Sequence, residues 1–478
     1  MTSQDFSDFL DKNLHIDCSK IILRNDKNKP KIYEGTGSIT RNSKGELEIE
    51  LFYLDDNPWM SLCEHIEAIG EKQGNLTVLD DTTAKIGSIT EESEYFSLSA
   101  FDVQGREWKS MRVLIGERKD NGNQIFLIAQ LHEIYSNYSI KENEKASLYL
   151  QIYGRVKFPS NIFLASKIAQ NPLISTEEKL EYAHFQSAAH FFACNYEFLI
   201  KHKDEFTIIE VKSDCDKLLE MIETRICEAL QFVLGEFIEW STLELNEQGN
   251  KTIRIQSLYN QNYKPKFKPP IRFEKSDTTE DIWCLYEHYL KYILQHSKKS
   301  LHPISGWVRR IFEARALYLE SEMLTITVAV ESLLKIAPLK EISDVRSDNN
   351  KFNDLASQID IIKNAINDLD IDDNLNKRLE GFLGEIQSGN DLRAIDRLWN
   401  LENKGLLDKK LIAAWKYIRN RAAHGYVLHP QKFGKYIKLC NQVTILFNHL
   451  VFIAIDYTGN YTDYSEKGWT KKEYNKSK

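Results

Sequence analysis

Tyr263-Lys264-Pro265-Lys266-Phe267-Lys268-Pro269-Pro270 divides the chain. Prolines remove backbone donors and break helices and strand ladders alike, and the interleaved lysines hold the segment in water. Before this junction apolar and polar residues alternate. After it the apolar residues recur at helical spacing. The junction therefore sets the fold class: a multidomain α+β chain in which a β-rich N-terminal module precedes an all-α helical bundle. The expected boundaries are 1–262 for the β-rich module, in two parts at about 1–158 and 159–262, then 263–275 for the Pro/Lys linker, 276–460 for the helical domain and 461–478 for a loose polar tail.

On the N-terminal side, Lys31 to Tyr53 alternates well. KIYEGTGSIT and ELEIELFYL flank a loop, Arg41-Asn42-Ser43-Lys44-Gly45, and together predict a hairpin. Further strand-like runs begin at Leu76, Ala84, Tyr95, Met111, Gln124 and Ser147. Their spacing suits a sandwich or a strongly curved antiparallel sheet. From about 160 the pattern is mixed: Ser175-Thr176-Glu177-Glu178 reads as a helix start, TIIEVKS from Thr207 as a strand and Cys215 to Trp240 as a helix, followed by the runs STLEL and KTIRIQSLY.

On the C-terminal side, Thr278 to Ser300 predicts one helix, with Ser276, Thr278 or Thr279 as its cap. A second long helix is expected between Pro303 and Pro338, with shorter ones at 351–367 and 374–388. Leu406 to His424, ended by Gly425, and Gln431 to about Tyr457 complete the bundle.

The chain has 478 residues, 42% hydrophobic and 28% charged, enough for two or three domains with sizeable cores. Its net charge of −8 excludes a uniformly basic nucleic-acid coat. A local patch remains: Lys404, Lys409, Lys410, Lys416, Arg419, Arg421, Lys432, Lys435 and Lys438 stand between 404 and 440, opposed only by Asp408. The seven cysteines are scattered and never form a CxxC pair, which fits reduced thiols in the cytoplasm. Cys284 and His288, one helical turn apart, are better read as a buried helix face than as metal ligands. MTSQDFSDFLDKN has no apolar core, so no signal peptide is expected, and no run of about 18 uncharged apolar residues predicts a membrane span.

Chemistry concentrates in Arg419-Asn420-Arg421-Ala422-Ala423-His424-Gly425. On a helix Asn420 and His424 lie about 40° apart and share a face, whereas Arg419 is displaced about 140° from His424. The helix dipole at a C-terminus favours a protonated imidazole. These groups match what RNA cleavage by internal attack needs without a metal. His424 suits proton transfer near neutrality. The Arg419 fork can bond two phosphate oxygens, and Asn420 can hold the imidazole or a phosphate oxygen. Lys416 and Arg421 read as RNA phosphate contacts. Glu331, in the apolar row Leu324, Val328, Glu331, Leu334, needs a partner; it can orient Arg419 or His424, or pair with Lys335 at i+4.

RNRAAHG resembles the R-N-x-x-x-H motif of HEPN ribonucleases, and TVAVESLLKI (Thr327 to Ile336) resembles a HEPN core helix. A β-rich module ahead of such a domain resembles the layout of ApeA-like anti-phage defence proteins. The resemblance implies a metal-independent endoribonuclease with no cofactor, with Arg419 and His424 as the catalytic pair and Asn420 in support. It implies a homodimer with a composite active site, open to higher oligomers, and a phage-derived trigger. The expected reaction cuts host RNA, with tRNA as target by likeness to HEPN anticodon nucleases, and stops growth.

Three other readings compete. Glu210-Val211-Lys212 is similar to the ExK of metal-dependent nucleases but lacks an upstream aspartate at the right distance. Asp368-Leu369-Asp370-Ile371-Asp372-Asp373-Asn374 lacks the glycine of a calcium loop, and Glu380 falls one place late. The serious alternative is a non-catalytic sensor or dimerisation protein that binds nucleotide, RNA or a phage protein.

Overall fold

The computed structural model describes residues 14–25, 30–42, 44–54, 92–121, 124–139, 145–167, 183–258, 266–273, 278–296, 300–344, 358–366, 372–388, 392–423 and 429–475. The strand-like runs from Leu76 and Ala84, the helix start at Ser175 and most of the acidic run from Asp368 lie outside the described residues. The chain divides into two compact bodies, Met1–Leu230 with Ile238–Lys264, and Gln231–Phe237 with Pro265–Lys478.

The first body is β-rich and is built around a six-stranded antiparallel barrel. Strands β1 (His15–Asn25), β2 (Ile32–Arg41), β3 (Leu47–Leu54), β4 (Phe96–Asp102), β5 (Glu107–Asn121) and β6 (Gln124–Leu131) run in the order β4-β1-β2-β3-β6-β5. The barrel closes because β5 is long enough to serve two neighbours. It pairs with β4 up to Val113 and with β6 from Val113 onward, with a register shift between Ile115 and Glu117 that turns the strand. The period-two pattern of β3 and β6 aims Leu47, Ile49, Leu51, Ile125, Leu127 and Ala129 into the barrel core. Trp108 fills that core and donates its Nε1–H to Asp102 Oδ2 at 3.1 Å, so the buried indole is satisfied.

The predicted hairpin is β2–β3. It contains Gly35 and Gly37 for a steric reason: a Cβ on Gly37 would lie 1.8 Å from Glu50 O, and one on Gly35 would lie 2.0 Å from Phe52 O. Beyond the barrel the sheet continues as β7-β14-β13-β8-β12-β11-β10-β9. These strands are β7 (Glu133–Ser139), β8 (Ser147–Tyr153), β9 (Ile162–Lys167), β10 (Ala183–Ala193), β11 (Tyr196–Lys203), β12 (Phe206–Ser213), β13 (Trp240–Glu247) and β14 (Asn250–Gln256). Helix α1 (Ile222–Leu234) falls between β12 and β13. Glu210 of the ExK-like run lies on β12, where its carboxylate pairs with Lys201 at 2.6 Å.

The second body is mostly helical. Its helices are α2 (Thr279–Ile293), α3 (Pro303–Arg315), α4 (Leu319–Leu333), α5 (Leu339–Ser343), α6 (Asp373–Ser388), α7 (Ala394–Asn403), α8 (Lys409–Ala423) and α9 (Phe433–Ala454), with a further helical segment at 358–366. His302 caps α3 by accepting from Ile304 N at 3.2 Å, ahead of proline in the first turn. The single helix expected between Pro303 and Pro338 is instead two. Tyr318 is extended, with φ −133° and ψ 156°, and breaks the run between α3 and α4. Residues 231–237, which the sequence reading places in the N-terminal module, pack with this second body: Phe232 stacks on Tyr289 with ring centroids 4.5 Å apart, and Glu236 pairs with Lys266 at 2.8 Å.

The expectation of a purely helical domain followed by a loose tail at 461–478 is corrected. Strands β15 (Gly459–Asp463) and β16 (Thr470–Tyr474) form a hairpin that is tied down at several points. Thr462 N donates to Pro270 O at 2.9 Å, Tyr464 Oη to Pro269 O at 2.8 Å and Tyr474 Oη to Leu406 O at 3.1 Å. Lys471 pairs with Asp281 at 2.9 Å. Helix α9 is long and apolar enough to cross a membrane, but most of it is buried within this body.

Two predictions follow from these packings. Gly37→Ala forces a methyl into the β3 backbone, so we expect a loss of more than about 3 kcal/mol, above the usual cost of overpacking, read as a lower urea midpoint. His449 of α9 is buried between the rings of Tyr461 and Tyr474, each 4.7 Å away, and burial pushes its pKa down to about 3, against a weaker opposing pull from Asp463. The unfolded chain takes up this proton near pH 6.5 and the folded chain does not until about pH 3. Stability from this group is therefore complete above pH 6.5 and falls on acidification by about 1.4 kcal/mol per pH unit. Thermal unfolding of the full chain between pH 4 and 8 should show a shallower acid-side decline for His449→Phe than for wild type; parallel curves would refute the assignment.

Candidate active site

Helices α4, α8 and α9 pack against one another and place the motif. The face of α8 turned inward carries Leu411, Ile412, Ala414, Trp415 and Ile418, all buried. The face turned outward carries Lys416, Arg419 and Asn420, all exposed. Trp415 is the anchor: its Nε1–H donates to Thr327 O of α4 at 3.2 Å. One turn further along both helices, Arg419 Nε donates to Glu331 Oε1 at 2.9 Å. Both contacts step in the same sense, so α4 and α8 run side by side in parallel at this point.

Of the three partners the sequence left open for Glu331, namely Arg419, His424 and Lys335, the structure brings up Arg419. The side chains are 48% and 29% exposed, so the pair is partly solvated and contributes only about 0–1 kcal/mol to stability. Its effect is geometric: the carboxylate holds the guanidinium at Nε and restricts where it lies. The expected apolar row around Glu331 is corrected. Leu334 is fully buried, but Leu324 and Val328 are 45% and 40% exposed. At spacings of four and three residues, Leu324, Val328 and Glu331 form an open face of α4 rather than a core stripe.

Arg421 is placed differently from Arg419. Its Nη1 donates to Tyr436 Oη of α9 at 3.2 Å, and its guanidinium carbon lies 4.5 Å from the ring centroid of Tyr417. Lys435 Nζ approaches the same ring at 5.0 Å. Arg421 thus ties α8 to α9 as well as offering charge. Tyr417 was legible as an i,i+4 partner of Arg421; Lys435 and Tyr436 carried no sequence signal for this role.

Helix α8 ends at Ala423. His424 and Gly425, and with them the expected helix-end imidazole and its angle to Arg419, lie outside the described residues. His429 is exposed and precedes a short 3-10 turn at Pro430–Lys432. The expectation that Cys284 and His288 share a buried helix face is corrected: Cys284 is exposed, and the half-buried His288 faces Ile455 O at 3.3 Å and the Tyr457 ring. Two surface clefts are lined by residues other than those of the motif. One of about 380 Å³ in the first body is lined by Glu46, Tyr95, Arg112, Gln130, His132 and Ser257 among others, and one of about 450 Å³ in the second body by Glu287, His288, Lys291, Tyr292 and Asp456 among others.

Compared with known proteins, the chain matches no family model, no curated protein and no solved structure.

The packing and the ion pair make separable predictions. Trp415→Phe removes the indole donor from a buried carbonyl and should cost about 1–3 kcal/mol. Glu331→Gln should leave the thermal midpoint within about 1 kcal/mol of wild type. A large destabilisation by Glu331→Gln would show that the pair holds the fold and not the Arg419 side chain.

Proposed function

We propose that the chain is a metal-independent endoribonuclease of the HEPN type, acting in abortive-infection anti-phage defence in the cytoplasm. The observation that carries this reading is the Arg419–Glu331 pair on an open face of the helix bundle, with Asn420 and Lys416 beside it. A phosphate-binding side chain is held at a set position yet remains accessible.

The reaction follows from the groups. The 2′-oxygen attacks the adjacent phosphorus as its proton passes to a base. The P–O5′ bond breaks as the departing oxygen takes a proton from an acid. The products carry a 2′,3′-cyclic phosphate and a 5′-hydroxyl, and the required 2′-hydroxyl restricts the substrate to RNA. Arg419 offers its terminal nitrogens to the phosphorane charge while Glu331 fixes the guanidinium plane. His424 is assigned proton transfer, and Asn420 the support of the imidazole or a phosphate oxygen. Lys416 and Arg421 are assigned RNA phosphate contacts.

A homodimer supplies two copies of the motif to one composite site. Leu324 and Val328, open on the face that carries Glu331, support this with apolar surface next to the arginine. The β-rich body is assigned the sensing of a phage-derived trigger, and host RNA, tRNA first, the role of target.

The test is cleavage of tRNA in EDTA by the activated protein, with end-group analysis. Wild type should release cyclic-phosphate ends. Arg419→Ala and His424→Ala should each lower the rate at least about 100-fold, the usual range for a general acid–base or charge-stabilising group. Glu331→Gln should lower it about 10- to 100-fold through misplacement of Arg419. Tight RNA binding with no cyclic-phosphate ends from wild type would replace the enzyme by a non-catalytic RNA sensor.

A further inference from the structure

The segment Lys268–Arg272 relies on another part of the chain for its hydrogen bonds. Pro269 and Pro270 have no backbone N–H, so they cannot take part in a ladder, and their carbonyls take donors from elsewhere. The terminal hairpin supplies them. Tyr464 Oη donates to Pro269 O at 2.8 Å and Thr462 N to Pro270 O at 2.9 Å, while Thr462 Oγ1 accepts from Arg272 N at 2.8 Å. Side chains add to this grip. The Arg272 guanidinium lies 4.8 Å from the ring centroid of Trp469, and Lys268 Nζ stands 5.5 Å from the Tyr464 ring and 5.8 Å from the Trp469 ring. Lys268 also donates to Asn441 of α9, whose amide donates in turn to Tyr464 O at 3.0 Å. Trp469 presents its indole from a left-handed backbone, φ 54°, which is uncommon for a residue with a side chain and persists where the surroundings hold it.

The opposite end of the same hairpin holds a different partner. Thr462, Tyr464 and Trp469 are at or next to the turn, whereas Tyr474 stands across from Gly459 at the open end, about 13 Å along the strands. Tyr474 Oη donates to Leu406 O at 3.1 Å. Leu406 belongs to the short loop between α7 and α8. That loop turns at Gly405, φ 71°, whose N donates to Glu402 O at 2.7 Å, and Leu406 N donates to Leu401 O at 3.0 Å. Three residues on, α8 begins at Lys409, and Arg419 lies about 15 Å further along that helix. One paired two-stranded unit therefore touches both the proline segment and the loop that leads into the helix of the candidate site.

We propose that the terminal hairpin is a coupling strap: it joins Lys268–Arg272, in the stretch by which the chain enters the second body, to the loop ahead of α8, so that displacement of the first shifts the second. Coupling of this kind needs a stiff element with a contact at each end, and the hairpin has both. Its use in regulation rests on the reading of α8 as the helix of an RNA-cutting site and of the first body as its sensor. On that reading the strap is the route by which a sensed trigger reaches Arg419.

The test is amide hydrogen exchange of the full chain, read by mass spectrometry without RNA or trigger. Tyr474→Phe and Tyr464→Phe each remove one hydroxyl and keep the ring. Tyr474→Phe should speed exchange at Gly405, Leu406, Leu411 and Ile412, whose amides are bonded locally, by about 3- to 10-fold, the range for one lost hydrogen bond. Tyr464→Phe, whose missing hydroxyl bonds the proline segment, should speed Arg272 and also those same four amides by at least about 3-fold, and the double variant should be non-additive. Trp469→Ala changes a side chain that is 43% exposed and should reproduce the effect of Tyr464→Phe even where the tyrosine variant folds poorly. Faster exchange confined to residues 266–273 in Tyr464→Phe and Trp469→Ala overturns the strap. So does a rise spread equally over α2 and α9, which is loss of stability and not coupling. Failure of the nuclease reading is separable: wild type that yields no cyclic-phosphate ends leaves the exchange result standing, and exchange confined to the proline segment leaves the nuclease standing.

Discussion

Helix α9 sets the terms for the second body. From Gln442 to Ile455 every residue is buried, polar ones included. A helix buried on all sides has no solvent face and must be enclosed on all sides. Helices α4, α5 and α8 cover part of it. The terminal hairpin covers more, with Tyr461 and Tyr474 against His449, and Asn441 donating to Tyr464 O at 3.0 Å. Each large apolar side chain so enclosed contributes about 1.5–3 kcal/mol. That scale dwarfs any single surface ion pair, so the position of α8, and hence of the motif, is decided by burial.

The division of labour within the site follows from those magnitudes. Trp415 and Ile418 fix α8 against its neighbours through packing and one buried hydrogen bond. Arg419 and Glu331 add little energy because both are partly hydrated. On the proposed reading, a weak pair suits a face that meets an anion. Nε is held by the carboxylate, and on that reading a phosphate would meet the exposed guanidinium without rearrangement of the core. A fully buried pair could not be reached, and a free arginine would lose several rotatable bonds of freedom on binding.

What could be read in advance tracks how local each cause is. Alternation in Lys31 to Tyr53 depends on neighbouring residues alone, and the β2–β3 hairpin is where it was expected. Closure of the barrel depends on β5 reaching back to β4 and on across to β6, and no local pattern encodes such reach. Strand β1 was missed because Ser19 and Lys20, at the register shift between Cys18 and Ile21, break its alternation, although Ile21 and Leu23 are fully buried. The break at Tyr318 was invisible for the opposite reason: the surrounding residues are good helix formers with no glycine or proline to mark a stop. The terminal hairpin was misread because its lysines look like a solvated tail. In the fold Lys472 pairs with Asp463 at 2.7 Å and Glu466 at 2.6 Å, while tyrosines on the same short strands turn inward. At the site, the need of Glu331 for a partner was legible, but the choice of Arg419, 88 residues away, was made by the packing of α4 on α8.

The last turn of α8 is cross-linked on two sides. Arg419 ties it to α4 and Arg421 ties it to α9, with Asn420 between them facing outward. Two residues apart, these arginines point to different neighbours because each residue advances about 100° around the helix. Both ties run through the side chains to which the proposed function assigns phosphate contacts. Loss of either clasp would loosen the other, because both act on one turn of backbone. The charge and the rigidity of the motif are therefore a single property of the sequence Arg-Asn-Arg, and substitutions within it should show non-additive effects on binding.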